Sequence, residues 1–196
     1  MIKYRPHLDN VERPRLRPHG RAGKIGLDKN EAPFSPLEKL PEFYAELAAQ
    51  SARTYPDPYP VYEKLARFCD VGIDQLMLTF GSEQAIRYAF ELMIGSGDEV
   101  VYLDPTFAMI DVFARQFDAR RSVLEFDDSR CVSAAQICDR ISSATRLIVL
   151  PNPNNPTGSI LPVDDLEMIA ERAAAAGAML VVDEAYYHYT DTTAQG

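Results

Sequence analysis

An α/β fold, a mostly parallel sheet flanked by helices, is predicted by three features of this sequence. From about residue 61 onward, short apolar runs alternate with stretches of helical periodicity. That alternation implies crossover connections between strands lying side by side in one direction. The composition, 46% hydrophobic and 25% charged over 196 residues, supplies enough apolar material for one globular core.

Residues 1 to about 60 have a different texture, rich in Pro and basic residues, and the change falls near Tyr55-Pro56-Asp57-Pro58-Tyr59-Pro60. Arg13, Arg15, Arg17 and Arg21 are interrupted by Pro14, Pro18 and Gly20, which reads as a solvated, irregular arm. Within this region Leu37 to Arg53 predicts a short helix with Leu40, Phe43, Leu47 and Ala48 on one side. Beyond it the expected order is strand Gln75–Phe80, helix Ser82–Ile94, strand Glu99–Leu103 and helix Thr106–Phe117. Strand Ser122–Phe126, helix Ser133–Ile141, strand Leu147–Leu150, helix Val163–Ala176 and strand Met179–Asp183 follow. Gly95-Ser96-Gly97-Asp98 stands between a helix and a strand and reads as a helix stop and turn.

The balance of charge and cysteine narrows the function classes. A formal net charge of -9 argues against a nucleic-acid surface, which draws on clustered Lys and Arg. Cys69, Cys131 and Cys138 are odd in number and form no CxxC pair, so neither a disulfide framework nor a zinc site is indicated. His7, His19 and His188 are scattered, and no metal site is expected of them. The opening MIKYRPHLDN has no apolar core of signal-peptide length, and nothing resembles a membrane span of about 18 apolar residues. A cytoplasmic location is the expectation.

In an open parallel sheet, ligands bind beyond the carboxyl ends of the strands. Four such positions carry unusual residues: Gly81-Ser82-Glu83-Gln84, Asp104-Pro105-Thr106-Phe107, Pro151 to Gly158, and Asp183 to Tyr186. Gly81 between an apolar run and a helix is compatible with a tight turn capped by Ser82, and equally with backbone N–H groups facing an anion. Asn152-Pro153-Asn154-Asn155-Pro156-Thr157-Gly158 is more specific, because three Asn and two Pro cannot continue regular structure and must present side-chain amides. No G-x-G-x-x-G follows the first strand, which disfavours a dinucleotide-binding module.

NNPTG after an apolar strand, followed in order by Asp183-Glu184-Ala185-Tyr186 at the end of another, resembles the class I/II aminotransferases of fold type I. Leu27-Asp28-Lys29-Asn30-Glu31-Ala32-Pro33 looks like that family's substrate-side loop, with Asn30 its substrate-side residue. Thr54-Tyr55-Pro56-Asp57 looks like the segment before its large domain. Together with Gly81-Ser82-Glu83-Gln84 and Asp104 to Met109, the arrangement is most similar to histidinol-phosphate aminotransferases. The resemblance implies pyridoxal 5′-phosphate as cofactor, an incomplete large domain over residues 61–196, and an arm with part of the small domain over residues 1–60.

It also implies roles. Asp183 would be the anion that keeps the pyridine nitrogen protonated, which lets the ring draw electrons from a substrate's α carbon. Asn155 and Tyr186 would donate to the cofactor's phenolic oxygen, and Phe107 would stack on the ring where many relatives carry Tyr. Ser82 and Glu83 would offer backbone N–H groups to the phosphate, although a Glu at 83 departs from the smaller residues usual there. Tyr55 would reach the partner subunit's cofactor phosphate, which makes a homodimer the expected assembly. Substrates would be an amino acid, or an amino-alcohol phosphate, and a 2-oxo acid.

The family's Schiff-base lysine lies beyond the second motif, whereas the lysines here are Lys3, Lys24, Lys29, Lys39 and Lys64. No catalytic residue is therefore assigned, and the chain by itself is expected to be inactive. Two other readings remain open: a truncated, non-catalytic relative, and a fragment of a threonine-phosphate decarboxylase-like enzyme.

Overall fold

The structure, a computed structural model, describes residues 5–12, 40–51, 55–127 and 131–190. The chain parts into two compact units, Met1–Pro14 with Thr79–Gly196, and Arg15–Leu78. In the latter, α1 (Pro41–Ser51) and α2 (Tyr59–Cys69) are followed by a 3-10 turn at Ile73–Gln75. The Tyr62 hydroxyl on α2 accepts from the Leu78 N–H at 3.1 Å, which holds the chain to this unit past the change of texture near residue 60. Phe43 and Leu47, on the side of α1 expected to be apolar, are exposed.

The larger unit carries the sheet. Its elements are α3 (Ser82–Met93), β1 (Glu99–Asp104), α4 (Met109–Gln116), β2 (Arg120–Glu125), α5 (Ala134–Arg140), β3 (Thr145–Pro151), α6 (Val163–Ala176) and β4 (Met179–Asp183). The four strands lie in the order β2-β1-β3-β4, and every neighbouring pair is parallel. Side chains alternate between the two faces with the period of a pleated strand. Val100, Tyr102, Leu147 and Val149 meet Ile86, Phe90, Ile110 and Phe113 of α3 and α4 on one face. Val101, Leu103, Ile148 and Leu150 meet Ile137 of α5 and Leu166 and Ile169 of α6 on the other. The result is a three-layer α/β/α unit, as the alternation of the sequence predicted.

Local signals set the helix limits. Pro162 precedes α6, Asp164 and Asp165 sit in its first turn, and Gly177 ends it in the left-handed region at φ 70°. Ser133 caps α5 by a reciprocal pair: its hydroxyl accepts from Gln136 N–H at 3.3 Å, and Gln136 Oε1 accepts from Ser133 N–H at 2.9 Å. Ser133→Ala should lower stability by about 1 kcal/mol, measured by urea unfolding, with Ser133→Thr close to the parent.

Two expectations are corrected. Residues 75–80 form no strand: Ile73–Gln75 is a 3-10 turn and the rest is irregular. Their donors are taken by side chains instead of a ladder, Leu78 N–H by Tyr62 and Phe80 N–H by Gln84 Oε1 at 2.7 Å. The helix expected from Thr106 begins at Met109, because Pro105 and Thr106 are engaged elsewhere. In the arm, Pro6–Asn10 is a 3-10 turn, and His7 Nε2 lies 3.1 Å from Gln116 O at the end of α4.

The two edges of the sheet are unlike. β2 places Arg120, Arg121 and Glu125 at its edge, all exposed, with Arg120 paired to Glu99 of β1 at 3.1 Å. β4 offers Met179, Leu180, Val181 and Val182, half-buried and uncharged, and among the described residues no strand pairs with its outer side. No described helix is long and apolar enough to cross a membrane.

Candidate functional site

Three strands end together at Asp104, Pro151 and Asp183, and three of the four groups of unusual residues lie at or just beyond these ends, while Gly81-Ser82-Glu83-Gln84 opens α3 with no strand before it. The end of β3 is tied to β4 by Asn152 N–H donating to Asp183 O at 2.9 Å. Asp183 is 8% exposed, and its carboxylate accepts from Ala185 N–H at 3.1 Å, with the Ser82 hydroxyl close enough to favour its charged form. Burial pushes its carboxyl above the usual carboxylate value, and the bonds from Ala185 and Ser82 pull it back only in part. A buried carboxylate of this kind gains from a cationic partner.

Gly81 precedes α3 with φ 77°, a left-handed conformation that favours glycine, and it turns the first residues of the helix toward Asp183 through Ser82. The first-turn N–H groups of α3 are among those a helix leaves without an internal partner. Glu83 is exposed and lines a groove of about 560 Å³ with Phe80, Arg87, Met109 and Phe113 between α3 and α4.

The Asn-Pro loop divides its three amides between two tasks. Asn152 is 1% exposed and pairs with the backbone of Leu161 in both directions, donating to its carbonyl at 3.1 Å and accepting from its N–H at 2.8 Å. Asn154, 3% exposed, donates to Pro105 O at 3.0 Å and to Thr157 Oγ1 at 2.9 Å, and accepts from the Thr106 hydroxyl at 2.6 Å. Only Asn155 is turned outward, half-buried, with its Nδ2 3.5 Å from the Tyr186 hydroxyl. That spacing is long for a direct bond and allows both groups to donate to one oxygen of a third molecule. Phe107, next to Thr106, is half-buried against the α3–α4 core.

The structure therefore brings Ser82 together with Asp183, and Asn155 together with Tyr186, at the carboxyl end of one sheet. Tyr55 belongs to the other unit and is fully exposed, and Asn30 lies outside the described residues. The structural work of Asn152 and Asn154 and the side-chain contact of Ser82 were not foreseen from sequence. A cavity of about 390 Å³ lies beside the loop, lined by Leu103, Phe126, Asn152 and Leu161, and it does not include Asp183, Asn155 or Tyr186.

Near the same strand ends, Asp111 of α4 accepts from the Tyr102 hydroxyl at 2.6 Å, from Arg115 at 2.7 Å and from Arg121 at 2.7 Å. Burial pushes the Asp111 carboxyl up, but these three donors outweigh it and hold it below its usual value. Burial, with Asp111 as acceptor, raises the Tyr102 hydroxyl well above the usual phenol value. The cluster pins α4 to β1 and β2.

Relatives share this arrangement of elements. A histidinol-phosphate aminotransferase from Hyphomonas neptunium is 35% identical over 176 residues, covering 87% of this chain and 47% of its own length. One from Caldanaerobacter subterraneus subsp. tengcongensis is 28% identical over 174 residues, covering 87% of this chain and 49% of its own length. The chain thus spans about half the length of these curated relatives. Among solved structures, N-succinyldiaminopimelate aminotransferase from Mycobacterium tuberculosis matches with TM-score 0.63 and 25% identity over 74% of this chain and 41% of its own. A Thermus thermophilus aspartate aminotransferase mutant matches in fold, with TM-score 0.75 and 22% identity over 93% of this chain and 50% of its own. The profile of the aminotransferase class I and II family matches residues 22–195, and the chain belongs to that family, whose cofactor is pyridoxal 5′-phosphate.

Proposed function

We propose that this chain is the cofactor-binding part of a histidinol-phosphate aminotransferase-like enzyme, which moves an amino group between an amino acid or amino-alcohol phosphate and a 2-oxo acid. The observation that carries the reading is the pair of donors Asn155 and Tyr186, 3.5 Å apart, on the strand end next to the buried carboxylate of Asp183. These groups fit the cofactor's chemistry: two donors suit a phenolic oxygen, and a buried acid suits a protonated ring nitrogen. When bound, the ring draws electrons from the substrate's α carbon.

In this reading Asp183 holds the proton on the ring nitrogen, and Asn155 and Tyr186 donate to the phenolic oxygen. Phe107 covers one ring face, and the N–H groups of Ser82 and Glu83 receive the phosphate at the positive end of α3. Asn30 stands on the substrate side. Tyr55 would extend to the phosphate bound by the partner subunit in a homodimer, for which its full exposure leaves it accessible. Residues 1–60 would form an arm with part of the small domain and residues 61–196 a partial large domain, in the cytoplasm. With lysines only at 3, 24, 29, 39 and 64, the chain alone would bind without turning over.

Titration of the chain with pyridoxamine 5′-phosphate tests this. Saturable one-to-one binding is expected, weakened by Asn155→Ala and by removal of the phosphate from the ligand. Absence of saturable binding would overturn the reading, and turnover accompanied by a borohydride-fixed pyridoxyl group on one of the five lysines would overturn the expectation that the chain alone is inactive.

A further inference from the structure

Asn154 sits at a junction between the loop after β3 and the segment between β1 and α4. It is 3% exposed, yet both its N–H groups and its carbonyl are bonded, and the partners come from two different strand ends. Pro105 and Thr106, between β1 and α4, lie 49 and 48 residues away in sequence. The main chain of Asn154 is engaged as well: its N–H donates to Ser159 O at 2.9 Å and its carbonyl accepts from Gly158 N–H at 2.7 Å. The residue on one side of this junction is Asn155, and the one beside Thr106 is Phe107.

From this geometry we infer that Thr106 and Asn154 form a positioning pair that fixes the outward direction of the Asn155 amide relative to the Phe107 segment. The inference rests on the function proposed above, since it assigns the pair a purpose only if Asn155 meets the cofactor. The Thr106 hydroxyl, at 2.6 Å, occupies the Asn154 carbonyl oxygen and so leaves the two amide N–H groups to point at Pro105 and Thr157. With that orientation set, the next residue, Asn155, places its Nδ2 3.5 Å from the Tyr186 hydroxyl. The Asp111 cluster anchors the other end of the same segment through α4, so the Thr106 hydroxyl is presented from a fixed base. Neither residue is a catalytic residue; both act through Asn155.

The test uses the 196-residue chain and pyridoxamine 5′-phosphate, read by affinity and by the cofactor's absorption band, which reports the ionisation of its phenolic oxygen. Thr106→Val should weaken binding by about five- to tenfold, the worth of one neutral hydrogen bond, and shift the band in the same direction as Asn155→Ala. Thr106→Ala, which removes the hydroxyl without adding bulk, should do the same if the valine variant fails to fold. Thr106→Ser should stay within about twofold of the parent, because the hydroxyl is restored. The double variant Thr106→Ala with Asn155→Ala should bind no more weakly than Asn155→Ala alone, as expected when one residue acts through the other.

Additive losses in the double variant, or a Thr106→Ala chain that melts earlier but keeps the parent's affinity and absorption band, would overturn the pair's role and reduce it to a structural contact. If the parent chain shows no saturable binding, the proposed function falls and this inference falls with it. If the parent binds and Asn155→Ala weakens binding while both Thr106 variants do not, only the inference falls.

Discussion

Replacing Asp183 by Asn should lower the affinity of the chain for pyridoxamine 5′-phosphate by about ten- to a hundredfold, the worth of a hydrogen bond to a charged group. The same change should raise the chain's own melting temperature at neutral pH relative to the parent. The two effects have one origin. A buried carboxylate that meets only an N–H and a hydroxyl is poorly compensated, so its charge costs stability until a cation faces it. In the folded chain its proton is held above the ordinary value of 3.8. Between that value and the higher folded one, the native state binds more protons than the unfolded state, so stability falls as pH rises. Below 3.8 the group is neutral in both states and the cost vanishes. The melting temperature of Asp183→Asn minus that of the parent should therefore grow as pH is raised from about 3 to 7 in the absence of ligand. Affinity within about twofold of the parent would remove Asp183 from the cofactor site, twofold being well under 1 kcal/mol.

Phe90→Ala should cost about 3–5 kcal/mol of unfolding free energy, read from urea denaturation followed by circular dichroism. A typical domain has about 5–15 kcal/mol in total, so the loss removes a large share of the chain's stability and should lower its urea midpoint markedly. Phe90 is fully buried, and its ring centroid lies 6.0 Å from those of both Phe113 and Phe117. It fastens α3 to α4 above β1 and β3, and α3 carries Ser82 at its start. Phe90→Leu keeps most of the volume and should lose clearly less. A loss below about 1 kcal/mol for the alanine variant would mean that the two helices are not held through this residue.

The helices and strands of the larger unit were legible where local chemistry and burial agree. Val163–Ala176 and Met179–Asp183 were read to the residue, because Pro162 and Gly177 bound the helix and an uninterrupted apolar run forms the strand. Residues 75–80 misled because they are apolar enough for a strand, while their backbone donors are claimed by Tyr62 and Gln84. Thr106 to Ala108 satisfies a helical pattern, but its bonds go to a loop about fifty residues away, and such contacts leave no mark on local periodicity. In the candidate site, the order of motifs pointed to Asp183, Asn155 and Tyr186. It gave no sign of the buried bonds made by Asn152 and Asn154, since the amides of Asn152, Asn154 and Asn155 are chemically identical and only the fold assigns their surroundings. The Ser82 hydroxyl on Asp183 joins residues a hundred positions apart and was equally invisible.

The contrast between the charged rim of β2 and the bare rim of β4 gives the sheet a direction. Hydrogen-bonded growth is opposed on one side by Arg120, Arg121 and Glu125, and on the other, among the described residues, half-buried aliphatic groups line the open ladder. For anyone handling the chain this makes the two sides unequal as attachment points. A fluorophore or tether placed at Arg120 sits on the charged, exposed rim, whereas one placed at Leu180 would displace a side chain that packs against the α5–α6 core.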